Sequence, residues 1–201
     1  MPDKLNTNNL NIKKRILLTG GPGGGKTTAL DLFRREFCGR IASVPESATM
    51  IFSGGIERST VPEVVNAHQI AIFNLQKHLE RAVRTMYPNR LILCDRGSLD
   101  GLAYWPGSEQ DFFTTMHSSL DYELSRYDAV IFFETAAKSS QEIKSNNPIR
   151  NESNEKAIEL DRKLQAIWSQ HHNFNFIPSS ESFIKKIMLG INTIEEVIAE
   201  I

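Results

Sequence analysis

One run, Arg15 to Leu30 (RILLTGGPGGGKTTAL), constrains this chain more than any other. The apolar residues Ile16, Leu17 and Leu18 end in Thr19. A loop follows that is glycine at every position from 20 to 25 except Pro22, and then Lys26, Thr27 and Thr28 open a helical pattern. Gly20, Gly25, Lys26 and Thr27 satisfy G-x-x-x-x-G-K-[ST], the P-loop. Glycine permits positive φ and close backbone approach, so successive amides can curl round a phosphate. The helix that follows turns its free N–H groups and partial positive charge towards the same anion. Gly21, Gly23, Gly24, Gly25, Lys26, Thr27 and Thr28 are therefore the expected contacts of ATP. Lys26 reaches the β- and γ-phosphates, and the Thr27 hydroxyl ligates Mg²⁺. A glycine-rich turn with no ligand would not require strand, loop and helix in this order.

The rest of the chain supplies four more short apolar runs, each followed by a helical or polar stretch. The runs are 41–44, 91–94, 129–133 and 174–177. Helices are expected over 26–38, 61–86 and 154–171, and in pieces over 98–126 around Trp105-Pro106-Gly107. The long helix is read with Thr60 and Glu63 as a capping box and Val64, Val65, Ala71, Ile72, Leu75, Leu79, Val83 and Met86 as its apolar face. Two short helices close the chain, split at Gly190, with Thr193 and Glu196 as a second capping box. Alternating strands and helices predict an α/β three-layer sandwich: a five-stranded parallel sheet with helices on both faces. Ligands in such sheets bind at the carboxyl ends of the strands. Residues 20–25, Glu46, Asp95-Arg96, Glu134 and the turn after Ile177 should therefore share one crevice.

Composition narrows the partners. With 201 residues and a net charge of −1, the chain reads as one domain over 14–201 behind a flexible, Asn-rich tail, residues 1–13. No basic field is present to hold nucleic acid, and no apolar run approaches a membrane span. Cys38 and Cys94 are the only cysteines, which suits reduced thiols and a cytoplasmic location better than a disulfide. His117, His171 and His172 lack the further ligands that a metal site needs.

Several side chains have a chemical reading. Asp95 ends an apolar strand, the Walker B arrangement, and could hold Mg²⁺ or accept a proton; the competing role is a helix cap. Arg96 offers a planar fork for phosphate or for orienting Asp95. Glu46 ends the second strand and could deprotonate a substrate hydroxyl, or cap the helix after Pro45. Residues 137–153 are polar and carry Lys138, Lys144 and Arg150. They read as a mobile lid, with Arg150 neutralising charge during transfer and Arg162 a weaker candidate. Arg81 and Arg84 read as the solvated face of the long helix.

With these residues in place, the chain resembles the small AAA-like P-loop domains that include the nicotinamide-riboside kinase domain of the NadR proteins. More distantly it is similar to thymidylate and deoxynucleoside kinases. GGPGGGKTT, VPESA, LCDRGSLDGLAYW, NPIRNES and IPSSES carry the resemblance, from about residue 15 to 185. It implies a kinase core in which Asp95 and Arg96 stand near the transferred phosphate and Arg150 is a lid arginine. Ser179 and Ser180 would border the adenine, and Glu46 and Asp100 would face the acceptor. The sequence shows no adenylyltransferase domain of the NadR kind, so no bifunctional role in NAD salvage is implied.

The expected function is Mg²⁺-dependent transfer of the ATP γ-phosphoryl to a nucleoside-like or other small hydroxyl acceptor, with Asp95 or Glu46 as base. The alternative is an ATPase or nucleotide switch acting on a protein partner. A GTP switch is disfavoured, because Phe133-Glu134-Thr135 stands where Asn-Lys-x-Asp would follow the fourth strand. The oligomeric state stays open, with a dimer among the options.

Overall fold

A computed structural model describes residues 14–37, 39–138 and 153–200. Five strands form one parallel sheet: β1 (Arg15–Thr19), β2 (Ile41–Val44), β3 (Leu91–Asp95), β4 (Ala129–Phe133) and β5 (Phe174–Ile177). Their spatial order is β2-β3-β1-β4-β5, with every pair parallel. β1 therefore lies at the centre, with Leu18 opposite Asp95 of β3 and Thr19 opposite Phe132 of β4. The end of β1 thus delivers the P-loop between the ends of β3 and β4.

The side-chain period of two divides these strands between two cores. Ile16, Leu18, Leu91, Leu93, Ile131 and Phe133 pack on one face with helices α1 (Lys26–Glu36) and α7 (Phe183–Glu200). Leu17, Ile92, Cys94, Val130 and Phe132 pack on the other with helices α3 (Pro62–Met86) and α6 (Asn154–Trp168). Between β2 and α3 lies the short helix α2 (Ser47–Ser53). A 3-10 helix (Ser98–Tyr104), α4 (Glu109–Met116) and α5 (Leu120–Ser125) complete the segment before β4.

Several details differ from the expectation. α7 is continuous through Gly190, and a Cβ built there would lie 2.5 Å from the Phe133 ring. That glycine lets the helix approach β4; it does not break it. Thr193 and Glu196 are consequently interior to α7 and cap nothing. α3 starts from Val61 without a side-chain cap, and it is Ser59 Oγ that accepts from the Val61 N–H at 3.1 Å, so Thr60 and Glu63 form no capping box.

The buried face of α3 also differs. Its buried residues are Gln69, Phe73, Gln76, Glu80 and Val83, while Val64 and Met86 are exposed. The apolar periodicity misplaced this stripe because most of it is polar. Arg84 is not a solvated cation either: its guanidinium donates to the carbonyls of Lys14 and Arg90. Trp105 and Trp168 are both core residues. The N-terminal tail, Cys38 and most of the expected lid, including Lys144 and Arg150, lie outside the described residues.

Candidate active site at the carboxyl end of the sheet

The P-loop is shaped by what stands behind it. Gly20 has φ +129°, and a Cβ there would meet the Phe133 carbonyl oxygen at 2.1 Å, so only glycine fits between β1 and β4. Gly25 has φ +91° and starts α1 without any side-chain cap, leaving the first amides of the helix to face the cleft. Lys26 is buried, and its Nζ donates to the carbonyls of Gly20 (3.0 Å) and Gly21 (2.7 Å).

Thr27 Oγ1 donates to Asp95 Oδ2 at 2.9 Å. The leading cause acting on Asp95 is burial, which with the Glu46 carboxylate raises its carboxyl above the ordinary value, against the pull of Lys26 and Arg96. Two oxygen donors on one cleft wall, one of them a carboxylate that a cation would favour, suit a hard divalent ion such as Mg²⁺. Gly23, Gly24, Gly25, Lys26, Thr27, Thr28 and Asp95 line this cleft, whose volume is about 520 Å³, together with Glu46, Thr49 and Phe183.

A second, smaller pocket of about 50 Å³ opens on the other side of Glu46. Glu46, Ser47, Phe52, Arg58, Gln69, Arg96, Asp100 and Tyr104 line it. Glu46 occupies the residue before α2, but its carboxylate makes no capping bond. It accepts instead from Thr49 Oγ1 at 2.6 Å and Arg96 Nε at 3.2 Å. Arg96 is itself held on three sides. Its Nη1 donates to the Gly20 carbonyl (2.6 Å) and to Asp100 Oδ2 (3.1 Å). Burial opposes its charge, yet Glu46 and Asp100 outweigh burial and hold it firmly protonated.

Asp100 does line the acceptor-side pocket, but its oxygens serve the protein. They accept from Thr19 Oγ1 (2.9 Å) and Trp168 Nε1 (2.7 Å) as well as from Arg96. It orients Arg96 more than it meets a ligand. Gln69 is different: it is buried at the pocket wall, and among the described residues its carboxamide makes no hydrogen bond.

Other expected contacts fall elsewhere. The Gly21 N–H points at Asp161 Oδ1 (2.9 Å) and not into the cleft. Ser179 donates its N–H to Glu134 Oε2 (2.7 Å), and Ser180 Oγ accepts from the Ser182 N–H. Neither serine lines either cavity. Arg162 is exposed on α6.

Sequence reasoning missed Asp161, which is fully buried on the inward face of α6. Its Oδ1 also accepts from the Thr135 N–H at 2.8 Å, and Lys138 Nζ stands 3.0 Å from Oδ2. The signal was an aspartate in register with Ala157, Leu164 and Trp168 on an otherwise apolar face. Lys186 of α7, also missed, donates to the Glu134 carbonyl, and burial lowers its ammonium to about 8 despite Asp161 and Glu134.

Residues 15–184 match the family model of an AAA domain. The chain belongs to that family. The matched region spans β1 to the start of α7, and so contains every residue lining the two cavities. No curated protein sequence matches the chain. Among solved structures, deoxyadenosine kinase from M. mycoides with bound dATP superposes with a TM-score of 0.61 at 15% identity, covering 90% of this chain and 99% of that one. The same kinase with products dCMP and a flexible dCDP bound gives 0.60 at 16% identity, with the same coverage. At such identities the likeness establishes a nucleoside-kinase-like fold for this AAA domain.

Proposed function

We propose that this AAA domain is a small-molecule kinase that moves the γ-phosphoryl group of ATP to a hydroxyl of a nucleoside-like acceptor. The observation that carries the reading is the position of Glu46. Among the described residues it alone of the carboxylates lines both the P-loop cleft and the smaller pocket, whereas Asp95 lines only the cleft and Asp100 only the pocket. A plain ATPase needs no pocket beyond the transferring phosphate with a carboxylate between the two.

The roles divide accordingly. The P-loop amides and Lys26 bind and orient the triphosphate. Thr27 and Asp95 would hold Mg²⁺, which when bound neutralises charge on the phosphate oxygens. Glu46 accepts the proton of the acceptor hydroxyl as its oxygen bonds to the γ-phosphorus and ADP departs. Arg96 holds Glu46 in place. Arg150, from the segment before α6, is proposed as a lid cation. A carboxylate at this junction favours a neutral hydroxyl over a phosphate as acceptor, since like charges in a confined site repel.

That the structural neighbour is a deoxyadenosine kinase, with dCMP bound as a product, supports a nucleoside acceptor. The sequence likeness to a nicotinamide-riboside kinase domain puts ribosides first. At about 50 Å³ the pocket is smaller than the roughly 300–1,000 Å³ of small-molecule sites. An acceptor of that size therefore enters with movement of the rim, where Arg58 stacks over Phe52 at 4.2 Å.

The deciding experiment incubates the protein with ATP and Mg²⁺ against nucleosides, ribosides and nucleoside monophosphates, with products followed by mass and Lys26→Ala as control. A product 80 Da heavier than one riboside or nucleoside, absent with Lys26→Ala, is the expected result. ADP formation that ignores every acceptor would replace this reading with an ATPase or switch.

A further inference from the structure

The polar stripe of α3 leads away from the cavities to the underside of the loop that carries Asp95 and Arg96. Arg96 has φ +79°, a left-handed backbone that an arginine rarely adopts and that persists only where its surroundings impose it. Its N–H is fixed by the Leu18 carbonyl at 3.0 Å. Its carbonyl accepts from Gln76 Nε2 at 3.1 Å. The same nitrogen donates to Glu80 Oε1, also at 3.1 Å.

Glu80 is completely buried and receives three further donors: Arg15 Nη1 (2.9 Å), Arg126 Nη2 (2.6 Å) and the Tyr127 hydroxyl (2.8 Å). Tyr127 in turn accepts from the Ser98 N–H at 3.1 Å. One carboxylate under the sheet therefore anchors the loop at two points, residue 96 through Gln76 and residue 98 through Tyr127. The cost of such a network is an argument for its use. Buried ion pairs are commonly no more stable than apolar replacements of similar volume. The Gln76 Oε1 atom is buried without a hydrogen bond, so this side chain is kept for its N–H₂ group alone.

We infer that Gln76 is a positioning residue for the phosphoryl transfer: it braces the strained Arg96 backbone from Glu80 and so aims the Arg96 guanidinium at Glu46. The inference rests on the kinase reading for its catalytic consequence, and on the loop geometry for the brace itself. A residue that merely packs the core would affect folding and leave turnover alone.

The test compares Gln76→Met, which keeps the volume and removes the donor, with Phe73→Leu, a core change on the same helix face where the ring packs edge-on against Phe112. With the acceptor identified above, Gln76→Met lowers kcat by about 10- to 100-fold and leaves the KM for ATP within about twofold, the pattern of a misaimed group. Phe73→Leu lowers thermal stability without that loss. In parallel, amide exchange at Arg96, Gly97 and Ser98 accelerates about tenfold or more in Gln76→Met while Leu93 and Cys94 of β3 keep their rates. Equal kcat losses in the two variants at matched stability, or exchange that speeds up uniformly, overturns the brace. If the native protein phosphorylates no acceptor, the kinase reading falls, and the exchange comparison still decides the brace.

Discussion

The two sides of Glu46 are built in different ways. On the phosphate side, the P-loop, Lys26 and Thr27 come from one unbroken stretch, and Asp95 joins Thr27 from a neighbouring strand, with Glu46, Thr49 and Phe183 also lining the cleft. On the acceptor side, Pro22 of the P-loop, α2 and the loop after it, α3, the residues after β3 and the 3-10 helix each give one to three residues. The phosphate side meets a ligand common to many proteins, so backbone amides and a fixed spacing suffice. On the proposed kinase reading the acceptor side would fit one small molecule, and side chains from separate elements can be varied singly. On that reading, a fixed module joined to a variable one would let this fold keep ATP while the acceptor differs.

The sharpest way to break that division is to remove one carboxylate from each side. Asp95→Asn and Glu46→Gln each lower kcat by about 100-fold or more. Only Asp95→Asn raises the Mg²⁺ concentration needed for half-maximal rate, and only Glu46→Gln leaves that requirement unchanged. Steady-state rates over a Mg²⁺ titration check both. A raised Mg²⁺ requirement in Glu46→Gln would merge the two sides into one.

A smaller effect tests how far the phosphate side extends behind the loop. Asp161→Asn keeps the shape but removes the charge beside Lys138 and weakens the acceptor of the Gly21 and Thr135 amides. ATP binding weakens about three- to tenfold, in line with about 1 kcal/mol for a charged hydrogen bond reduced to a neutral one, while the acceptor KM stays the same. Calorimetric titration with a non-hydrolysable ATP analogue measures it.

The last test concerns pH. Lys186, behind the P-loop, has its ammonium lowered from 10.5 to about 8 by burial. Between those values the unfolded chain keeps a proton that the folded one has released. Below the lower value the full penalty of burying the charge applies. Stability therefore rises with pH across this window, by at most about 1.4 kcal/mol per unit. Denaturation of the native protein against Lys186→Met reads it: their difference shifts in favour of the native chain as pH rises from about 8 to 10. A flat difference would mean that Lys186 releases no proton there.

What could be read without the structure follows from how contiguous each feature is. Strand-loop-helix at 15–30 is local, so the P-loop and its Thr27 were legible, and Asp95 followed because a parallel sheet puts a carboxylate beside it. The apolar strands gave the sheet because the cores on its two faces need near-continuous hydrophobic runs. Polar residues on helix faces defeated the same reasoning. Asp161, Gln76 and Glu80 break the periodicity that marks a buried face, since their partners are backbone groups and cations from distant segments. Gly190 was read as a break because local propensity takes no account of a phenylalanine ring from β4 lying against the helix. Arg150 lies outside the described residues, so the lid reading rests on sequence and on its proposed role.

The carbonyl oxygen of Gly20 receives both Lys26 Nζ and Arg96 Nη1. One cation belongs to the phosphate side and the other to the acceptor side, so the two modules are wired in series through a single atom. A change that lets one cation drift alters the field and the lone pairs left to the other. Redesign of the acceptor pocket through Arg96 would then carry a tax in nucleotide handling, whereas changes at Arg58 or Phe52, neither of which bonds to that oxygen, would not. An engineer retargeting this scaffold has reason to work from the rim inwards.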